Sequence, residues 1–192
     1  MSGRFDTEAI ETERLLLPRW SEADRDVFTR LATDPEVTRY LGDGKPWDEE
    51  KISTSFDREA RHWVEHGFGW RAAIDKASGK RIGFIGLNYV PPEAVEVGDA
   101  KVVEIGWWLA PDFWRRGLAT EGAFALRDEA FGRVGLERII GRYNPENVAS
   151  GRIMEAIGMS FDREATGRHG QVVRIYVMTK SDWATKESDG SG

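Results

Sequence analysis

The order in which helical and extended runs follow one another narrows the fold of this chain more than any single motif does. "ETERLLLPRW" (11–20) is a short apolar run closed by Pro18 and reads as a first strand. Ser21 is a good N-cap three residues before Asp24, and Val27, Phe28 and Leu31 follow at helical spacing, so a helix is predicted over about 22–32. Asp34 with Pro35 and Glu36 opens a second, short helix ending near Leu41. Asp48 then caps a longer one, in which Ile52, Phe56, Ala60, Trp63 and Val64 recur at three- and four-residue intervals until Gly67.

After these helices the pattern changes to a hairpin, "FGWRAAID" and "RIGFIGLNYV" joined by "KASGK", with Pro91 and Pro92 ending its second strand. A loop over 91–100 leads to the strand "KVVEIGWWLA", a helix over 116–132 and a strand over 136–143. A helix from Asn147 to Ile157, a strand near 160–164 and a last strand, "VVRIYVMT", complete the series. Helices, then a meander, then alternating strands and helices describe an α/β (α+β) three-layer domain with a mixed sheet. The chain is predicted to be one domain over 1–183, with 184–192 a disordered tail.

Composition removes several function classes. The 192 residues include no cysteine and three histidines, so thiolate chemistry and disulfides are excluded and no metal site is expected. A net charge of −6 argues against general nucleic-acid binding. Neither a signal-peptide core at the amino terminus nor a run of about 18 apolar residues is present, so a cytoplasmic protein with no membrane partner is the expectation. Surface or capping roles are expected for His62, His66 and His169.

"FWRRGLATEG" (113–122) joins a predicted strand to a predicted helix. A helix amino terminus carries unpaired amides and a partial positive charge, and it binds phosphate when the preceding loop lets the backbone approach. Gly117 supplies that approach, Ala119 keeps the first turn slim, and Arg115 and Arg116 add positive charge suited to a pyrophosphate. A plain turn with two solvated arginines fits the same residues. The loop is neither a Walker loop nor the three-glycine dinucleotide fingerprint.

Taken with "YNPENVASGRIMEAIGM" (143–159), the segment "EIGWWLAPDFWRRGLATEG" resembles the GNAT superfamily of acetyl-CoA-dependent N-acetyltransferases, in particular the branch of ribosomal-protein N-terminal acetyltransferases. "TERL" at Thr12 to Leu15, "GFIGL", the loop pattern at Trp114, Gly117 and Ala119, and the later pattern at Asn147, Ser150, Gly158 and Met159 carry the likeness. It spans about residues 11 to 183.

The resemblance implies a mostly antiparallel sheet splayed between two strands, 104–110 and 136–143, with helices on both faces. Acetyl-CoA would enter the splay: backbone near Trp108 and Leu109 would meet pantetheine and polarise the acetyl carbonyl. The pyrophosphate would rest on the amides of Arg115, Arg116, Gly117, Leu118, Ala119 and Thr120, beside Trp114. Asn147, Ser150 and Arg152 would face another arm of the cofactor, although "NPEN" is also a plain capping sequence. Only one of Trp107 and Trp108 can line the cleft, since neighbouring strand residues point to opposite faces.

Glu104, acidic inside an apolar strand, is the candidate base; pairing with an arginine such as Arg142, or exposure to solvent, is the competing reading. The tyrosine that many members use as general acid is replaced here by Met154, which makes Ser150 the candidate for a hydrogen bond to the leaving thiolate, with Tyr143 and Tyr176 in reserve. The acceptor, an amine, would be met by the helices at 22–65 and the loops 91–100 and 165–171. Asp43, Asp48, Glu49 and Glu50 could recognise a cation, but such a run is equally a solvated face. The alternative function is a non-catalytic acetyl-CoA sensor, and the expected assembly is a monomer or homodimer.

Overall fold

The structure is a computed structural model that describes residues 9–90, 101–167 and 169–189. The loop expected over 91–100 lies outside the described residues. Among the described residues eight strands form one sheet in the order β1-β2-β3-β4-β5-β6-β8-β7. They are β1 (Ile10–Glu11), β2 (Leu15–Leu17), β3 (Trp70–Asp75), β4 (Lys80–Tyr89), β5 (Val103–Leu109), β6 (Arg138–Tyr143), β7 (Ser160–Thr166) and β8 (Val172–Thr179). Every neighbouring pair is antiparallel except β5 and β6, which run parallel.

Helices cover both faces. On one side α1 (Arg25–Thr33), α2 (Pro35–Thr38) and α3 (Glu49–His66) enclose a core of Trp20, Phe28, Leu31, Phe56 and Trp63 against Ala72 and Phe84 of the sheet. On the other, α4 (Leu118–Phe131) and α5 (Val148–Ala156) bury Leu118, Leu126, Met154 and Ile157 against Ile85, Leu87, Val103 and Ile105. Local signals set these helices. Asp48 accepts the Lys51 amide at 2.8 Å to start α3, and Gly67, at φ 71°, ends it in the left-handed region that glycine enters without a Cβ clash. Gly122 has no side chain because a Cβ there would meet Ile85 Cδ1 at 2.2 Å, so α4 lies close on the sheet.

Several expectations need correction. The single strand expected over 11–20 is two short strands, because Thr12 folds the chain back: its hydroxyl accepts the Leu15 amide at 2.9 Å. The helix expected from residue 22 begins with a 3-10 turn over Glu22–Asp24, in which Asp24 accepts the Ser21 amide at 2.7 Å. Val64 on α3, counted into the apolar stripe, is 77% exposed. The tail expected over 184–192 is helical as far as Asp189 in α6 (Lys180–Asp189), which is docked by Trp183 on the Phe131 ring and by its indole N–H on Asp128 at 2.9 Å. His62 is buried, not at the surface. Among the described residues no helix is long and apolar enough to cross a membrane.

Candidate active site

The parallel strands β5 and β6 are paired only where Val103 meets Ile139 and Glu104 meets Ile140. Beyond that point they part, leaving Ile105 to Leu109 on one side of a wedge and Gly141 to Tyr143 on the other. Register says which backbone groups face it. The Ala110 amide donates to Ile82 at 2.8 Å and the Val90 amide to Val102 at 2.8 Å, so even-numbered residues of β5 turn their N–H and C=O towards β4. Odd-numbered Trp107 and Leu109 therefore turn theirs into the wedge. The Leu109 carbonyl accepts the Trp114 indole N–H at 2.6 Å, which ties the following loop to the end of β5.

That loop ends at Gly117, the N-cap of α4, at φ 75°. Arg115 is also left-handed, at φ 59°. The first intrahelical bond runs from Glu121 N to Gly117 O at 3.0 Å, so the amides of Leu118, Ala119 and Thr120 have no partner within the helix and present a partial positive charge. Arg115 and Arg116 are exposed beside them, the latter with its guanidinium 5.0 Å from the Phe113 ring. These groups fit a pyrophosphate.

The other flank of the wedge is the start of α5. Asn147 is its N-cap and accepts the Ser150 amide at 3.3 Å, so the capping role is realised. Ser150 Oγ accepts the Trp107 indole N–H at 3.3 Å, which brings this serine against the open edge of β5. A hydroxyl that accepts from an indole keeps its own hydrogen to donate. Arg152 is exposed. Met154, in the place of the tyrosine, is buried with its Cε 2.8 Å from where a Gly141 Cβ would stand, so the flank carries packing rather than a proton donor there. Tyr143 crowds Gly151, its Oη lying 2.6 Å from a Cβ built there. Tyr176 donates to Glu155 at 3.0 Å; burial and those partners push its phenol up to about 12.

On the opposite face Glu104 sits at the closed end of the wedge and accepts from Arg142 Nη2 at 2.6 Å, the arginine pairing weighed above. Both side chains are about a quarter exposed, 24% and 21%, so the pair is reachable from solvent. Asn88 of β4 stands directly opposite Glu104 and donates from Nδ2 to Glu59 of α3 at 3.0 Å. Glu59 is 4% exposed; burial pushes its carboxyl up, against the stabilising hydrogen bonds from Arg58 and Asn88. Further along, the Trp70 ring lies across Gly106, whose Cβ would meet Cη2 at 2.8 Å, and Trp108 stacks on Phe28 with centroids 5.7 Å apart.

Of the predicted residues, Leu109, Trp114 to Thr120, Asn147 and Ser150 border the wedge or its mouth, and Glu104 closes it. Trp108 does not present its backbone to the wedge: its N–H and C=O face β4 and its ring joins the aromatic core. The backbone that faces the wedge at this point is that of Trp107. Asp48 is a helix cap rather than a free carboxylate. Arg14, Glu121, Asn88 and Glu59 went unread as site residues; only "TERL" hinted at the first.

The family described as an acetyltransferase (GNAT) domain matches residues 14–160. The uncharacterized N-acetyltransferase YnaD of Bacillus subtilis (strain 168) is 43% identical over 154 residues, which cover 78% of this chain and 81% of that protein. The crystal structure of an acetyltransferase from Agrobacterium tumefaciens strain C58 has a TM-score of 0.76 at 28% identity, covering 93% of this chain and 98% of that one. RimL, a ribosomal L7/L12 alpha-N-protein acetyltransferase in complex with coenzyme A, shares the fold with a TM-score of 0.71 at 14% identity, covering 90% of this chain and 98% of that one. With a splayed sheet, a helix start with unpaired amides at its mouth and a family match over most of its length, the chain belongs to the GNAT acetyltransferase family and is an acetyltransferase.

Proposed function

We propose that the protein moves an acetyl group from acetyl-CoA to a primary amine, either a protein α-amino group, as in the ribosomal-protein branch it resembles, or a small-molecule amine, by direct transfer in a ternary complex in the cytoplasm. The observation that carries this reading is the coincidence of two open features at one end of β5: the edge at Trp107 and Leu109 that β6 does not pair, and the free amides of Leu118, Ala119 and Thr120. Bound there, acetyl-CoA supplies a thioester whose carbonyl is open to attack.

The chain's own groups divide the remaining work. The amide of Leu109 or Trp107 donates to the acetyl oxygen, where charge develops. Ser150 donates its hydroxyl hydrogen towards the leaving sulfur, stabilising a thiolate rather than supplying an acid. Glu104 accepts the proton of the incoming ammonium, directly or through water, with Arg142 orienting its carboxylate. An α-amino group with a pKa of about 7.7–8.0 is already roughly a tenth neutral at pH 7, whereas a lysine at about 10.4 is not, so the base matters less for an α-amine.

Release of CoA thiol, followed with a panel of amino-terminal peptides and small amines, tests the proposal; the protein has no cysteine to interfere. Turnover on one acceptor class, reduced about 100-fold in Glu104→Gln at neutral pH and less at pH 9, is the expected result. Tight acetyl-CoA binding with no turnover on any acceptor would overturn it.

A further inference from the structure

We infer that Arg14 and Glu121 form a strut that holds the 115–117 loop in its anion-binding shape, which makes both of them positioning residues for the cofactor. The inference rests on the reading of that loop as the pyrophosphate site. Arg14 lies in the tight turn between β1 and β2, which is closed by Thr12 N to Leu15 O at 2.9 Å and by the Thr12 hydroxyl. Its side chain leaves the turn and crosses to the far loop. Nε donates to Glu121 Oε2 at 2.6 Å and Nη1 donates to the Arg116 carbonyl at 2.8 Å. Glu121, in the first turn of α4, also accepts the Arg14 amide at 2.7 Å and the Thr12 hydroxyl at 2.5 Å. One carboxylate and one guanidinium thus join the turn to the first turn of α4 through three hydrogen bonds and to the loop through a fourth.

The bond to the Arg116 carbonyl decides where the loop points. In a trans peptide the C=O and the next N–H are antiparallel, so fixing the Arg116 oxygen towards Arg14 aims the Gly117 N–H the opposite way, away from the turn. The flanking residues make that grip necessary. Arg115 at φ 59° and Gly117 at φ 75° bracket the peptide, and a non-glycine residue in the left-handed region persists only where its surroundings over-determine it. Were the peptide to flip, a carbonyl oxygen would replace an amide hydrogen where an anion must sit. Charge adds a second reason. Glu121 places a negative charge in the first turn of α4, close to the anion site, and Arg14 neutralises it. Burial would raise the Glu121 carboxyl, but its bonds to Thr12 and Arg14 hold it below its ordinary 4.5, so the strut is intact at neutral pH and is released only as pH falls below that value.

The test compares the full chain with Arg14→Ala and with Arg14→Ala/Glu121→Gln, by calorimetry with CoA and with ADP and by amide hydrogen exchange of the ligand-free protein. The expected result for Arg14→Ala is CoA and ADP binding weakened about 10- to 100-fold, with faster exchange confined to the first bonded amides of α4, Glu121 to Phe124, the first of which donates to the Gly117 carbonyl. The double variant should recover part of the affinity, because the stranded negative charge is gone, while exchange stays fast. A merely structural role would instead accelerate exchange across β1, β2 and β3 as well. Unchanged exchange at Glu121 to Phe124 in Arg14→Ala overturns the strut whatever the ligand does. Wild-type protein that binds CoA but not ADP overturns the pyrophosphate reading of the loop, and the inference with it, even if exchange behaves as expected.

Discussion

Acidification should weaken this fold through one imidazole, His62 on α3. The geometry fixes its tautomer: the Tyr89 amide donates to Nε2 at 3.3 Å, so Nδ1 carries the hydrogen and donates to the Phe68 carbonyl at 2.8 Å. A proton added at Nε2 would face an N–H that already points there. Burial lowers its pKa from 6.5 to about 4; the Phe68 carbonyl is the main opposing effect, and the smaller charge effects of His66 and Arg58, which lower it, and of Glu65, which raises it, follow.

A base whose folded pKa lies below its unfolded one binds its proton more readily in the unfolded chain, so stability is full above 6.5, falls as pH drops from 6.5 towards 4, and levels off below. Integrated over that window, the loss is about 2 kcal/mol at pH 5. Glu59 and Asp24, whose carboxyls burial raises, act in the opposite sense, because folding holds their protons more tightly as pH falls. The clean measurement is therefore a difference. Urea denaturation of wild type and of His62→Asn, which keeps a donor for Phe68, between pH 8 and pH 4.5 should give two curves offset at pH 8 that converge by about 2 kcal/mol at pH 5. Parallel curves would refute the assignment of a neutral, trapped imidazole.

Arg71 and Glu129 form a buried two-pronged pair, 1% and 4% exposed, with Nε and Nη2 donating at 3.0 and 2.6 Å. Arg71→Ala strands the carboxylate against Arg133 alone and should cost about 3–5 kcal/mol by denaturant titration, while Arg71→Met/Glu129→Leu should cost far less. Gly122→Ala sets two effects against each other: helix propensity favours alanine by up to about 1 kcal/mol, whereas a Cβ 2.2 Å from Ile85 Cδ1 overpacks the α4 interface at about 1–3 kcal/mol. The variant should melt lower, and a higher melting temperature would show that α4 can lift without loss. Ser150→Ala should lower kcat about tenfold with little change in the KM for acetyl-CoA, read from steady-state thiol release.

Signals local to a few residues were legible in the sequence. Asp48 and Gly67 bounded α3, and Gly117 marked the start of α4 where a left-handed residue was needed. The order of elements suggested the mixed sheet, but the parting of β5 from β6 came only from the resemblance, since a two-residue overlap leaves no trace in either strand's own pattern. Register is likewise a property of pairs. Without knowing that Ala110 reaches Ile82, nothing assigns the free backbone edge to Trp107 rather than Trp108. Arg14 and Glu121 lie 107 residues apart in the chain, and Glu59 meets Asn88 across 29, so their partnerships appear only when the sheet brings them together. The tail was misjudged for a related reason: the indole that anchors its helix, Trp183, lies just before it, and nothing in the polar residues 184–192 points to that contact.

The parting of β5 and β6 also bears on how the protein survives between turnovers. An unpaired strand edge is ordinarily an invitation to another chain, and edge strands of sheets carry charges or bulges that discourage it. Here the exposed edge lies inside the sheet, bounded by β6 and by the start of α5, and runs only from Ile105 to Leu109 before the Trp114 indole closes its last carbonyl. A foreign strand needs several residues in register on such an edge, and the wedge narrows to a pair of bonded residues at Val103 and Glu104 before that many fit. A taper of this kind offers a foreign strand few residues to pair with, so the gap in the ladder is less open to aggregation than an outer edge of the same length.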